Sequence, residues 1–134
     1  GHKVFEYDRD GGALKHEYLL PQACYGLAFG TNYDLFVGVG DSSAQGEIHR
    51  FDGQSGDFLE VFVDAAHNGG LTGPRALAFG PDKNLYVVGS AVPKGVFKYD
   101  GITGNPIPPS PFTSGGPELN IPNFITFGHN GNIF

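Results

Sequence analysis

The feature that most constrains this chain is an internal repeat. Leu27-Ala28-Phe29-Gly30, Leu77-Ala78-Phe79-Gly80 and Ile125-Thr126-Phe127-Gly128 recur 50 and then 48 residues apart. A second marker interleaves with the first: Val4-Phe5-Glu6-Tyr7-Asp8, Ile48-His49-Arg50-Phe51-Asp52 and Val96-Phe97-Lys98-Tyr99-Asp100, spaced 44 and then 48. Two interleaved markers with a shared period mean that one supersecondary unit has been copied. Such a unit buries its apolar faces against its neighbours rather than in a core of its own.

The copied unit reads as four short strands. In the middle copy, Arg75 to Phe79 forms run a, Leu85 to Val88 run b and Val96 to Tyr99 run c, with a weak run d after Gly104. Run d of the preceding copy, Phe58 to Val63, is β-branched and aromatic and is bounded by Gly56 and Asp64. The 22 Gly, 10 Pro, 12 Phe and 6 Tyr among 134 residues fit strands and tight turns and disfavour helices. Runs a and b are joined by Gly30–Asp34, Gly80–Asn84 and Gly128–Asn132, equal in length. Asn130-Gly131 is the favoured pair of a two-residue type I′ hairpin turn, and Tyr33 and Lys83 stand where Gly131 does, in a less ideal setting for positive φ. Asp8, Asp52 and Asp100 recur where run c ends and read as turn caps. Within run c, Phe5 and Tyr7, or Phe97 and Tyr99, share one face, while Glu6, Arg50 and Lys98 take the other.

Four antiparallel strands repeated every 44 to 50 residues fit a β-propeller blade, whose period is about 40 to 50 residues. The expected fold is therefore all-β: about three four-stranded repeats, half of a roughly six-bladed propeller, permuted so that the chain starts at strand c and ends in strand b. One propeller segment spans 1–134, with repeat units 4–47, 48–95 and 96–134. Residues 73 to 87, Gly-Pro-Arg-Ala-Leu-Ala-Phe-Gly-Pro-Asp-Lys-Asn-Leu-Tyr-Val, followed by Val96-Phe97-Lys98-Tyr99-Asp100-Gly101, resemble the blades of NHL-type propellers. The resemblance covers essentially the whole chain and implies the fold. It leaves the activity open, because such propellers serve as binding scaffolds, lyases and lactonases alike.

Composition narrows the partners. A net charge of −6 with eight Lys plus Arg disfavours nucleic acid, which needs a concentrated basic surface. No apolar stretch is long enough to insert into a bilayer. Cys24 is the only cysteine and reads as a small packing residue; no Cys/His spacing suggests zinc, and neither a metal site nor a cofactor is expected. The chain has no Met, so Gly1 reads as an internal or processed start. Few cysteines and no Lys-rich tract fit an extracellular or cell-surface setting, the expected one, and fit the cytosol as well.

Repeat alignment also sorts candidate functional residues, since a residue that changes between copies is freer to carry function than one that repeats. Tyr25, Arg75 and Asn123 open run a in the three copies and differ in each. On a propeller they would ring the mouth of the central channel, with the Arg75 fork suited to a carboxylate of an anionic or hydroxyl-rich ligand. Asp41 and Ser90, in the b–c loops on the same expected face, are added to this ligand-binding set, and no residue is assigned a catalytic role. His49 reads as a packing residue in place of Phe5 and Phe97, and His16, His67 and His129 as solvated. The expected function is a non-catalytic binding or scaffold module that recognises protein or glycan or assembles head-to-tail as a homo-oligomer, unless the remainder of a longer chain completes the propeller. A lyase or lactonase with its site near the channel and a structural filament subunit are the competing readings.

Overall fold

The computed structural model describes residues 1–114 and 122–134. Among them the chain is all-β, without helix, and no segment is a helix able to cross a membrane. The strands are β1 (His2–Tyr7), β2 (Leu14–Leu20), β3 (Cys24–Phe29), β4 (Leu35–Val39), β5 (Glu47–Phe51), β6 (Phe58–Val63), β7 (Pro74–Phe79), β8 (Leu85–Gly89), β9 (Gly95–Tyr99) and β10 (Thr113–Ser114). β1 and β2 form a hairpin, and two antiparallel four-stranded sheets follow chain order, β3-β4-β5-β6 and β7-β8-β9-β10. Runs a, b and c of the middle copy are thus β7, β8 and β9. Counted from run c, the units 4–47, 48–95 and 96–134 each join half of one sheet to half of the next. Residues 124 to 134 repeat the first half of a sheet, with a bridge between Phe127 and Ile133 and paired backbone bonds between Thr126 and Phe134.

Run d is weak after Gly104 for a chemical reason. Pro106, Pro108, Pro109 and Pro111 supply no N–H to a ladder. Among the described residues the edge of β9 is met by the Tyr99–Pro106 bridge, an Ile107 N–H donated to the Lys98 carbonyl, and the two residues of β10. The expected loop from Pro111 to Ile121 lies outside the described residues from 115 onward.

The a–b turns differ from the expected two-residue type I′ form. In each of the three, Gly30, Gly80 or Gly128 accepts from the residue three positions on and donates to the carbonyl four positions on, at 2.9 to 3.0 Å. These are three-residue loops, a type I turn followed by one left-handed residue. That residue is Tyr33 (φ 68°), Lys83 (φ 65°) or Gly131 (φ 79°), so only one position of the loop, not two, requires positive φ. One side chain in that region is a modest strain, which is why Tyr and Lys are tolerated there. The c–d turns are capped as their repetition implies: the Oδ1 atoms of Asp8, Asp52 and Asp100 each accept two backbone N–H groups, two and three residues ahead. These bonds favour the ionised form and lower all three carboxyl pKa values.

Packing stacks these pieces in layers. β4 and β8 are buried along their whole length because both of their faces are covered. Leu35, Val37 and Val39 of β4 point towards Tyr18, Leu20 and Phe51, while Phe36 points towards Phe62, Leu77 and Phe97. On β8, Leu85 and Val87 join that second cluster, and Tyr86 and Val88 pack with Ala76, Val96 and Ile125 on the far side. Continuous apolar runs such as Leu-Tyr-Val-Val thus reflect a strand between two layers rather than an alternating surface strand.

The β1–β2 hairpin carries a polar tie of its own. Glu6 accepts from the Tyr18 hydroxyl at 2.6 Å, faces His16 Nδ1 at 2.9 Å and pairs with Lys15 at 3.1 Å. The Tyr18 and His16 bonds lead in lowering its pKa from 4.5 to about 2. A carboxylate whose pKa is depressed on folding contributes stability that is complete above its unfolded value and lost as pH falls through its folded value. The hairpin should therefore loosen between about pH 4.5 and 2. The chemical shift of the Glu6 carboxyl carbon, followed against pH, should show a midpoint well below 4, and Glu6→Gln should remove that acid dependence. A midpoint at the ordinary glutamate value would refute the tie.

Candidate functional site

β3, β7 and the strand-like stretch from Asn123 run alongside one another at their starts. The approach of β3 to β7 is close because position 26 is glycine: a Cβ there would lie 2.7 Å from the Arg75 carbonyl oxygen and 2.8 Å from the Ala76 Cα. The three segments border one open cleft of about 220 Å³, lined by residues 25–27, 75–77 and 123–125. The same three positions of each copy supply it. Tyr25, Arg75 and Asn123 are therefore brought together, as neighbours in space separated by 50 and 48 residues in sequence.

Arg75 is the chemical centre of the cleft. Its half-buried guanidinium lies over the Tyr25 ring, 4.2 Å from the centroid, and its Nε donates to Ser90 Oγ at 3.3 Å. Ser90 in turn donates to the Gly73 carbonyl at 3.0 Å, which fixes the hydroxyl that steers the arginine. Several other cations are paired with acids: Arg50 with Asp34 and Glu60, Lys98 with Asp82, Lys15 with Glu6. Among the described residues no carboxylate lies within ion-pair distance of Arg75. A cation stacked on a phenol ring at the edge of an open cleft is of a kind that suits a planar anion.

Asp41 is not among the residues that line the cleft. Its carboxylate closes its own loop, accepting from the Ser43 N–H at 2.8 Å and the Ser43 hydroxyl at 2.6 Å, and those bonds lower its pKa. Ser90 acts on the cleft through Arg75. Two lining residues outside the expected set are Leu27 and Phe124, 48% and 77% exposed. The signal for Phe124 lay in the alignment: Gly26, Ala76 and Phe124 are equivalent positions that differ sharply in size.

A larger hollow of about 350 Å³ sits between the a–b turns, bordered by Phe36, Arg50, Phe79 and Lys83. Its arginine is held by Asp34 at 2.6 Å and Glu60 at 2.8 Å, which offsets the guanidinium charge. The histidines lie elsewhere. His49 is buried, 5% exposed, against Phe58 and within 2.9 Å of Glu47, while His67 faces Asp64 at 2.9 Å in a loop. Among the described residues no three His, Cys, Asp or Glu side chains are grouped to hold a metal ion. No protein-family model and no curated protein matches this chain.

Proposed function

We propose that this chain is a segment of an NHL-like β-propeller that works outside the cell as a non-catalytic binding module, taking a carboxylate-bearing ligand such as an acidic glycan at the cleft around Arg75. The interleaved repeat, the face-to-face layering of four-stranded sheets and the alignment of equivalent strand starts around one cleft support the propeller reading. One observation carries the binding reading: Arg75 is oriented by Tyr25 and Ser90 with no described carboxylate to neutralise it.

The test is a titration of the ¹⁵N-labelled protein with oligomers of glucuronate or galacturonate, and with neutral glucose oligomers as the comparison. Saturable shifts should appear at the Arg75 Nε–H and around Tyr25 with the acidic sugars alone. Arg75→Lys retains the charge but not the planar fork, and should weaken binding by about tenfold, the size of a lost charge-assisted bidentate contact. Equal response to neutral sugars, or unchanged affinity in Arg75→Lys, would overturn the proposal.

A further inference from the structure

The loop from β6 to β7 contains a dipeptide that is chemically labile wherever it is free to move. Asn68 is followed by Gly69, whose missing side chain leaves its backbone nitrogen unhindered beside the asparagine side-chain carbonyl. The fold demands both residues. Gly69 has a positive φ of 68°, and a Cβ on it would collide with Ser110 Oγ, which donates to the Gly69 carbonyl at 3.0 Å. Asn68 is 3% exposed, with Nδ2 donating to the Gly46 and Leu71 carbonyls at 2.7 and 2.9 Å and Oδ1 accepting from the Gly70 N–H at 2.9 Å. The same pair recurs as Asn130-Gly131, on an exposed turn.

From Asn68 the loop leads to the Arg75 cleft. The Leu71 carbonyl, held by Asn68, also accepts from the Gly46 N–H at 2.8 Å, and a bridge joins Thr72 to Gln45. Two residues beyond Leu71, the Gly73 carbonyl accepts from the Ser90 N–H at 3.1 Å and from the Ser90 hydroxyl at 3.0 Å. That hydroxyl meets Arg75 Nε at 3.3 Å. Asn68 therefore anchors the first link of a short series of contacts that ends on the arginine.

We infer that Asn68 is a site of spontaneous modification that the fold holds closed, and that its conversion to aspartate or isoaspartate releases this loop and, with it, the arginine of the cleft. The last step rests on the binding reading above. In the reaction the Gly69 nitrogen bonds to the Asn68 side-chain carbonyl carbon as the bond to Nδ2 breaks. Its proton passes through solvent to the departing ammonia. Water then opens the succinimide, giving aspartate by attack at the side-chain carbonyl or isoaspartate by attack at the backbone carbonyl. The closed loop blocks ring formation, because Nδ2 is pinned between two carbonyls and Oδ1 is tied to the Gly70 N–H, so the loop has to open first. After conversion a carboxylate faces the Gly46 and Leu71 carbonyls with no donor to offer, and isoaspartate also lengthens the main chain by one carbon. Both products oppose reclosure, so the change runs one way.

The protein is aged at mildly alkaline pH, in buffer and in urea, and peptide mapping follows residues 68 and 130. Asn68 should convert in buffer, about tenfold or more slowly than in urea, because only the opened loop reacts. In protein converted at 68, the amide hydrogens of Gly46 and Ser90 should exchange about tenfold or more faster, while those of Gly30 and Gly80, donated within the a–b turns, keep their rates. Its affinity for uronate oligomers should fall about tenfold as Ser90 ceases to orient Arg75. Protein converted at 130 alone is the control and should match fresh protein in both respects. Equal rates at Asn68 in buffer and urea, no conversion at 68 in the folded protein, or unchanged Gly46 and Ser90 exchange after conversion would defeat the proposal. Conversion that frees the loop yet leaves uronate affinity intact would defeat its link to the cleft and spare the binding reading. Fresh protein that ignores uronates would defeat that reading instead, and the exchange rates would still decide whether Asn68 holds the loop.

Discussion

Gly104→Ala should lower stability by about 3 kcal/mol, while the equivalent change Gly12→Ala should cost about 1 kcal/mol. Both glycines close c–d turns with positive φ, 74° and 68°, so both substitutions carry the strain of a side chain in the left-handed region. They differ in what lies beyond the backbone. A Cβ on Gly104 would sit 2.0 Å from the carbonyl oxygen of Phe62, in β6 of the neighbouring sheet, whereas nothing lies within 4 Å of a Cβ on Gly12. Only the first turn is wedged into an adjacent layer. Relieving that overlap requires the two sheets to separate, and Phe62 belongs to the cluster packed between them. Thermal denaturation should show a fall of about 10 °C for Gly104→Ala and a few degrees for Gly12→Ala. Equal losses would mean that dihedral strain alone sets the cost.

The second large effect is expected at Asn68, which is 3% exposed in the loop from β6 to β7. Its Nδ2 donates to the Gly46 carbonyl at 2.7 Å and the Leu71 carbonyl at 2.9 Å, and its Oδ1 accepts from the Gly70 N–H. Its own carbonyl accepts from the Tyr99 hydroxyl at 2.7 Å. One side chain thus ties the loop to the start of β5, and its backbone ties the loop to β9. Asn68→Ala leaves the buried Gly46 carbonyl without this donor and should cost about 3 kcal/mol. Asn68→Asp keeps the shape but turns the donor into an acceptor facing two carbonyls. It should be worse than Ala at neutral pH and should recover as the carboxyl protonates on acidification. Urea denaturation of both variants at pH 7 and pH 4 separates this from simple loss of packing, which would place Ala below Asp at either pH.

Strand positions were legible in the sequence because the repeat supplies the same evidence several times. Leu85 to Val88 alone is a short apolar run of uncertain type, but its equivalence to Leu35 to Val39 makes it the second strand of a unit. The turns were legible in length and not in conformation. Asn130-Gly131 suggested a two-residue turn, and only the hydrogen bonds of Gly30, Gly80 and Gly128 reveal that the loop is one residue longer. The variation among Tyr25, Arg75 and Asn123 picked out three positions that the fold brings to one cleft, because residues that open strand a share one place in the unit. The partners of Arg75 were less legible. Asp41 carries the charge that an arginine would seek, yet its carboxylate bonds within its own loop because Ser43 is two residues away. Asn68 gave no signal at all, since a buried amide in a loop is indistinguishable by sequence from a solvated one.

The close approach at Gly26 has a bearing on how the cleft could diversify. Of the three equivalent positions behind Tyr25, Arg75 and Asn123, the first admits no side chain, since a Cβ there would collide with the Arg75 carbonyl, and the second holds Ala76, buried in a packed cluster. Phe124 alone stands clear, 77% exposed. Of these three positions, only the one at residue 124 leaves room for a side chain to change the aperture. A substitution at residue 124 would alter the width of the cleft, while one at 26 or 76 would first disturb the packing behind it.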